Sequence, residues 1–262
     1  MKSPKGLDVE LPVVEVMKDA IWSLMAKRQI LLSRFLPVML VLALIDWGSS
    51  VFLEQGSTLQ FLPMILSLMV SIVFATSVHR FTLTPNAAMM QPGVWRRAET
   101  LYLRRGFMIG FIFAGIVSLV MLIVAMILGK QMVAAAAVAG LMVALYVTAR
   151  VSVGLPEIAM GRESSLRRAW ELSDGNGSRL VLVVWILPVL LSSPFLAMYF
   201  TDHIVLRLFA SFGTYLMTLF SLVTLSLAYR FLADFVDGDE ASGSVASTVV
   251  NSEHKNADGF DA

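Results

Sequence analysis

The chain has no cysteine among its 262 residues. That excludes disulfides, iron–sulfur clusters and thiolate zinc sites. Histidine is almost as scarce. His79 ends one apolar stretch, His203 sits in a turn and His254 lies in the tail, so the three do not gather on a metal. Charge is short as well: 20 Lys/Arg and 19 Asp/Glu make up 15% of the chain, where soluble domains carry about 25%. A net charge of +1 argues against nucleic acid. The sequence holds no H-E-x-x-H, no G-x-S-x-G and no P-loop pattern. Asp174, Asn176 and Ser178 open like a calcium loop, but Arg179 and Trp185 stand where that loop needs Gly and Glu. Asp202 and His203 are two adjacent ligands, too few for a metal site. The expectation is a protein that is not an enzyme and holds neither cofactor nor metal.

What the chain has is apolar length. It is 57% hydrophobic, with a mean hydropathy of +0.77. Phe61–Val78, Phe107–Gly129, Met132–Ala149, Leu180–Phe200 and Leu208–Tyr229 carry no charge. Each is long enough, at 1.5 Å per residue, to cross a hydrocarbon core of roughly 30 Å. A sixth stretch, Leu31–Val51, is interrupted only by Arg34 and Asp46 near its ends, where a charge is tolerated. The fold expected is therefore all-α and polytopic, with six transmembrane helices at about 31–51, 59–78, 107–128, 132–149, 180–200 and 208–229. Residues 1–30 precede this 31–236 membrane domain, and 237–262, rich in Ser, Gly, Asp and Asn, read as a disordered tail. Of the 20 Lys/Arg, only Lys130 and Arg207 fall in the loops after spans 1, 3 and 5. The positive-inside rule then places both termini in the cytoplasm.

Three similar endings follow the even spans: His79-Arg80-Phe81, Ala149-Arg150-Val151 and Tyr229-Arg230-Phe231. Spans 1 and 5 share Leu36-Pro37-Val38 and Leu187-Pro188-Val189, 43 and 42 residues before the arginines of their hairpins. The pattern reads either as three copies of an interfacial helix plus a hairpin, or as arginines and prolines in their ordinary membrane positions. The middle copy lacks the proline.

Before each hairpin lies an amphipathic, cytoplasmic-side segment with a large aromatic. Val13–Gln29 places apolar residues at helical spacing and carries Trp22. Trp95–Arg105 carries Arg96, Arg97, Arg104 and Arg105, and Ser164–Leu172 carries Arg167, Arg168 and Trp170. Cations and tryptophans at this depth suit anionic lipid headgroups, although such charge also serves topology alone. Arg150 and Glu157, around Pro156, and Arg179 complete the inner-face set of candidate contacts with lipid or a partner. Pro156 is expected to end span 4, Ser164 or Ser165 to cap the next helix, and Asp174-Gly-Asn-Gly177 to turn the chain back.

The run from Arg150 through Pro156, Gly161, Ser164, Ala169-Trp170 and the Gly/Asn turn to Arg179 resembles the membrane domain of bacterial glycerophosphoryl diester phosphodiesterases and of related stand-alone inner-membrane proteins. The close likeness spans about thirty residues, and the six-span layout extends it loosely over 10–236. The resemblance implies six spans and a bacterial cytoplasmic membrane. It implies no catalytic residue, because in those phosphodiesterases catalysis belongs to a separate soluble domain.

Two polar features lie inside the apolar stretches. Asp46 is either a proton or cation site or an interfacial residue closing its span. Ser211, Thr214, Thr218 and Ser221 share one arc of span 6, either lining a path or packing helices together. The function expected is a non-enzymatic inner-membrane protein that interacts with lipids or serves as an accessory scaffold in envelope organisation. The alternative is a small transporter or lipid-translocating protein using Asp46 and the hydroxyl stripe.

Overall fold

A computed structural model describes residues 10–53, 58–84, 95–201 and 203–257, with backbone alone at 130 and 237–257. Asp202, Pro85 and the ends of the chain lie outside the described residues, as do the side chains of Lys130 and His254. No strand occurs among the described residues. Six helices are long and apolar enough to cross a membrane: Arg28–Phe52, Thr58–Leu83, Arg97–Leu128, Val133–Ala159, Gly177–Met198 and Ile204–Val236. The chain is thus a multi-pass membrane protein. We number these spans 1 to 6 and call the end that carries most arginines the arginine-rich end.

The helices overrun the apolar stretches at that end. The segment Trp95–Arg105, expected as a separate interfacial helix, supplies the N-cap Arg96 and, from Arg97 on, the first turns of span 3. Nothing breaks the helix there: Gly106 alone costs only about 1 kcal/mol, and Glu99 caps the start by accepting the Arg96 amide at 2.8 Å. Pro156 does not sit at the end of span 4. The helix Val133–Ser152 stops and a short helix, Gly154–Ala159, follows with Pro156 inside it. Proline has no N–H to give the Ser152 carbonyl four residues back, so the break falls upstream of it. Ser165 caps Leu166–Leu172 by accepting the Arg168 amide at 3.0 Å. Gly175, at φ 71°, makes the turn that follows. The helix of span 6 runs from Ile204 to Ala257. The stretch 237–257, where composition predicts disorder, therefore has helical backbone. Propagation from an existing helix needs no new nucleus.

Spans 1 and 5 contain the same irregularity. Leu31–Phe35 and Leu182–Ile186 are π-helical, and each leads into Leu-Pro-Val. Pro37 and Pro188 strip the bond to Ser33 and Val184, the central residue of each π segment, and the helix widens to accommodate the ring. Span 3 has no proline here and stays α-helical. The hairpins close head to tail: span 2 packs on span 3, span 4 on span 5, and span 6 on span 1. The segment ahead of each hairpin also packs on the even span before it in this cycle. Val13–Ala26 lies on span 6, and Leu166–Leu172 on span 4. The start of span 3 lies on span 2, through bonds from Glu99 and Tyr102.

Close approach depends on small residues. Ala136, Gly140 and Ala144 are buried on span 4, and a Cβ on Gly140 would meet the Val117 backbone at 3.2 Å. Val13–Ala26 buries Val16 and Ala20 in the bundle and leaves Val14, Ile21, Trp22 and Met25 exposed on its other side. Phe52, Leu62, Phe111, Met126, Ile127 and Phe200 stand out from the bundle, an apolar belt suited to lipid.

Candidate functional site

At the arginine-rich end, spans 2 and 3 share a buried ion pair. Arg80 Nη1 lies 2.8 Å from Glu99 Oε1, and Glu99 is 1% exposed. Thr76 donates to the same carboxylate at 3.2 Å, and Arg80 Nε donates to the Ala159 carbonyl at 2.7 Å. Next to Arg80 in the chain lies His79, fully buried. Ser226 uses its single proton on the Leu222 carbonyl, so at 2.7 Å it accepts from His79 Nδ1–H. His79 Nε2 is then free to accept the Tyr102 hydroxyl at 3.1 Å. These bonds describe a neutral imidazole of fixed tautomer tying spans 2, 3 and 6 together. Sequence reasoning missed Glu99, Tyr102 and Ser226. A signal existed: Thr76 with His79 and Arg80, and Glu99 with Tyr102, are spaced three or four apart on their helices.

Arg150 and Glu157, expected at headgroups, are both buried. Arg150 donates to Ser173 Oγ at 2.9 Å and to the Trp170 carbonyl at 2.8 Å, and its guanidinium stacks 3.7 Å from the Trp170 ring centroid. Glu157 pairs with Arg168 at 2.8 Å, not with Arg150. The reason is the helix Leu166–Leu172, which folds over the end of span 4 and covers both. The other candidates stay near the surface. Trp22 is 70% exposed and Trp170 41%. Arg97 meets Glu163 at 3.1 Å and Arg167 meets Glu171 at 2.7 Å, all four side chains being mostly exposed. The bond to Glu171 raises the pKa of Arg167. Arg96 is exposed at the start of span 3, and Arg179 pairs with Glu10. Lys27 donates to the Phe81 carbonyl at 3.1 Å. Its pKa is lowered, first by burial and then by nearby Arg230.

Beside these lies a cavity of about 720 Å³ between span 3 and the loop after span 4. Arg97, Arg104, Arg105, Arg162 and Arg168 line it, with Glu163 the one acid in the lining. Arg105 donates to the Ser164 carbonyl.

Towards the other end, Asp46 does converge with polar groups. Its carboxylate accepts Ser67 Oγ at 3.0 Å and the Tyr215 hydroxyl, and Ser67 lies 3.3 Å from Tyr215. The cluster opens into a cavity of about 790 Å³ also lined by Gln60, Tyr199 and Arg207. Burial raises the pKa of Tyr199. Of the hydroxyl stripe, only Ser211 reaches this cavity, through Tyr199. Thr214, Thr218 and Ser221 bond the carbonyls four residues back in their own helix, at 2.9, 2.9 and 2.8 Å. Ser211 pairs with Tyr199 at 2.7 Å. A third cavity, of about 600 Å³, is an apolar crevice between spans 2, 3 and 6. Gly106 and Gly110 form part of its wall.

No group of three or more His, Asp or Glu able to hold a metal occurs among the described residues. No protein-family model, no curated protein and no solved structure matches the chain.

Proposed function

We propose that the chain is a non-enzymatic, lipid-interacting protein of a bacterial cytoplasmic membrane. In this reading its arginine-rich end and both termini face the cytoplasm, and it serves as an accessory or scaffold in membrane or envelope organisation. The observation that carries the proposal is the surface of that end. Trp22 and Trp170 stand out at 70% and 41% exposure, and the Arg97 and Arg167 side chains at 82% and 89%. Each cation near an anionic leaflet contributes about 1 kcal/mol of attraction. The charge asymmetry of the loops supports the orientation, and the resemblance of residues 150–180 to the phosphodiesterase membrane domain supports the compartment.

Extraction in native membrane discs, followed by mass spectrometry of lipids and proteins together, tests the proposal. We expect anionic lipid enriched several-fold over the bulk membrane, or one stoichiometric protein partner. Arg96→Gln with Arg97→Gln and Arg167→Gln should remove most of the enrichment. Bulk lipid composition with no partner overturns the proposal.

One observation favours a second reading, a small transporter: Asp46, Ser67 and Tyr215 meet at the mouth of a polar cavity. In that case Asp46→Asn in reconstituted vesicles abolishes a cation- or proton-driven flux that the parent chain supports. An absence of flux in the parent chain removes this reading.

A further inference from the structure

We infer that the cavity between span 3 and the loop after span 4 is a binding site for a phosphate group. The inference deepens the lipid-interacting reading, on which it rests only for the source of the phosphate.

The site is built from two directions. Arg97, Arg104 and Arg105 come from the first turns of span 3, Arg162 from the loop after span 4 and Arg168 from the helix Leu166–Leu172. Three of the five arginines are anchored by protein groups. Arg97 is held by Glu163 at 3.1 Å, Arg168 by Glu157 at 2.8 Å and Arg105 by the Ser164 carbonyl. Arg105 is also 6% exposed. Arg105 and Arg168 define the fixed part of the wall, while the Arg97–Glu163 pair lies at its exposed rim. Arg104 and Arg162 form no ion pair among the described residues and are exposed. They are the cations available to a ligand. The Ser164 hydroxyl is packed against Gly154, turned from the cavity, and takes no part in the site. One oxygen of Glu157 is unpartnered, on the far side of the carboxylate that holds Arg168.

Charge points to an anion. Five guanidinium groups share one concave space with a single lining carboxylate, Glu163. Glu157, behind the wall, answers Arg168, so three of the five cations have no carboxylate and favour a multivalent anion. Guanidinium forks match phosphate oxygens two at a time, which makes arginine a frequent choice for this group. The rest of the wall is apolar: Leu101, Met108, Ile158 and Leu166. At about 720 Å³ the space exceeds a bare phosphate, so the ligand class is a phosphate ester with an organic remainder. A phospholipid headgroup and a soluble phosphate ester share this chemistry.

The test uses the full chain in uncharged detergent and follows its thermal unfolding. Three probes are titrated separately at constant ionic strength: phosphatidic acid in mixed micelles, glycerol 3-phosphate, and sodium chloride as the screening control. We expect saturable stabilisation by at least one phosphate probe and none by chloride. Arg104→Gln with Arg162→Gln should weaken the apparent affinity at least tenfold. Lys18→Gln with Arg230→Gln, which removes the same charge from the same end outside the cavity, should change it less than twofold. Equal weakening by both pairs overturns the site and leaves a diffuse basic surface. Unchanged affinity in the Arg104/Arg162 variant also overturns it, even if lipid is still retained through the wider surface. Saturation by glycerol 3-phosphate but not by phosphatidic acid upholds the site and removes the lipid as its source.

Discussion

Replacing Glu99 with alanine is expected to destabilise the bundle by about 3–5 kcal/mol, the usual cost of stranding one member of a buried ion pair. The carboxylate receives Arg80 at 2.8 Å, Thr76 at 3.2 Å and the Arg96 amide at 2.8 Å. Its loss leaves Arg80, whose side chain is 14% exposed, with only the Ala159 carbonyl. Glu99→Gln keeps the shape and part of the bonding, and should cost about 1–3 kcal/mol. Removing both charges as Arg80→Leu with Glu99→Leu should cost less than Glu99→Ala alone, because no buried charge is left unpaired. Unfolding in mixed micelles of increasing SDS content measures all three. A loss under about 1 kcal/mol for Glu99→Ala would mean that water solvates Arg80 as well as Glu99 does.

Arg150→Ala should be comparable, at about 3–5 kcal/mol, but local in its effect. The guanidinium serves as the floor on which Leu166–Leu172 rests. It bonds Ser173 and the Trp170 carbonyl and stacks on the Trp170 ring. Arg150→Lys keeps the charge but loses the fork and the flat face, so more than half the loss should remain. Asp174→Asn is the control. Asp174 is 63% exposed and 3.4 Å from Arg150, and an exposed pair of that kind contributes under about 1 kcal/mol. Hydrogen exchange over 166–172 reads the effect directly. Protection there should fall in Arg150→Ala and Arg150→Lys and hold in Asp174→Asn. Unchanged protection in Arg150→Ala would mean that the short helix is held by Ala169 and Leu172 alone.

The six spans were legible because crossing a membrane depends on a one-dimensional property, an unbroken apolar length. Their ends were less so. Span 3 begins at Arg97 and not near Phe107 because arginines do not stop a helix, and only a breaker would have marked the boundary. The Leu-Pro-Val pair was visible, and its outcome, a π segment ahead of each proline, follows from the missing N–H. The site was legible only where it depended on position along one helix. Asp46 was recognisable as a charge near one end of span 1. Its partners were not, since Ser67 lies 21 residues on and Tyr215 169. The hydroxyl stripe of span 6 was a true pattern that three of its four members satisfy within their own helix. Arg150 read as a headgroup contact because sequence places it at a span end and says nothing of the helix that folds over it. Arg104 and Arg162 lie 58 positions apart, and only the packing of the loop against span 3 brings them to one cavity.

The head-to-tail closure of the hairpins has a consequence for how the protein is made. Span 1 packs against span 6, with Met39 and Leu42 buried in one cluster with Leu219 and Val223. Roughly 150 residues separate the end of the first span from the start of the last. At about 5–20 residues per second of synthesis, the first span waits on the order of 8–30 s for its neighbour. During that interval its packing face is open to lipid or to any insertion chaperone at hand. A nascent chain cut short after span 4 never covers it. Span 6 is the keystone, and the ring does not exist until that span has left the ribosome.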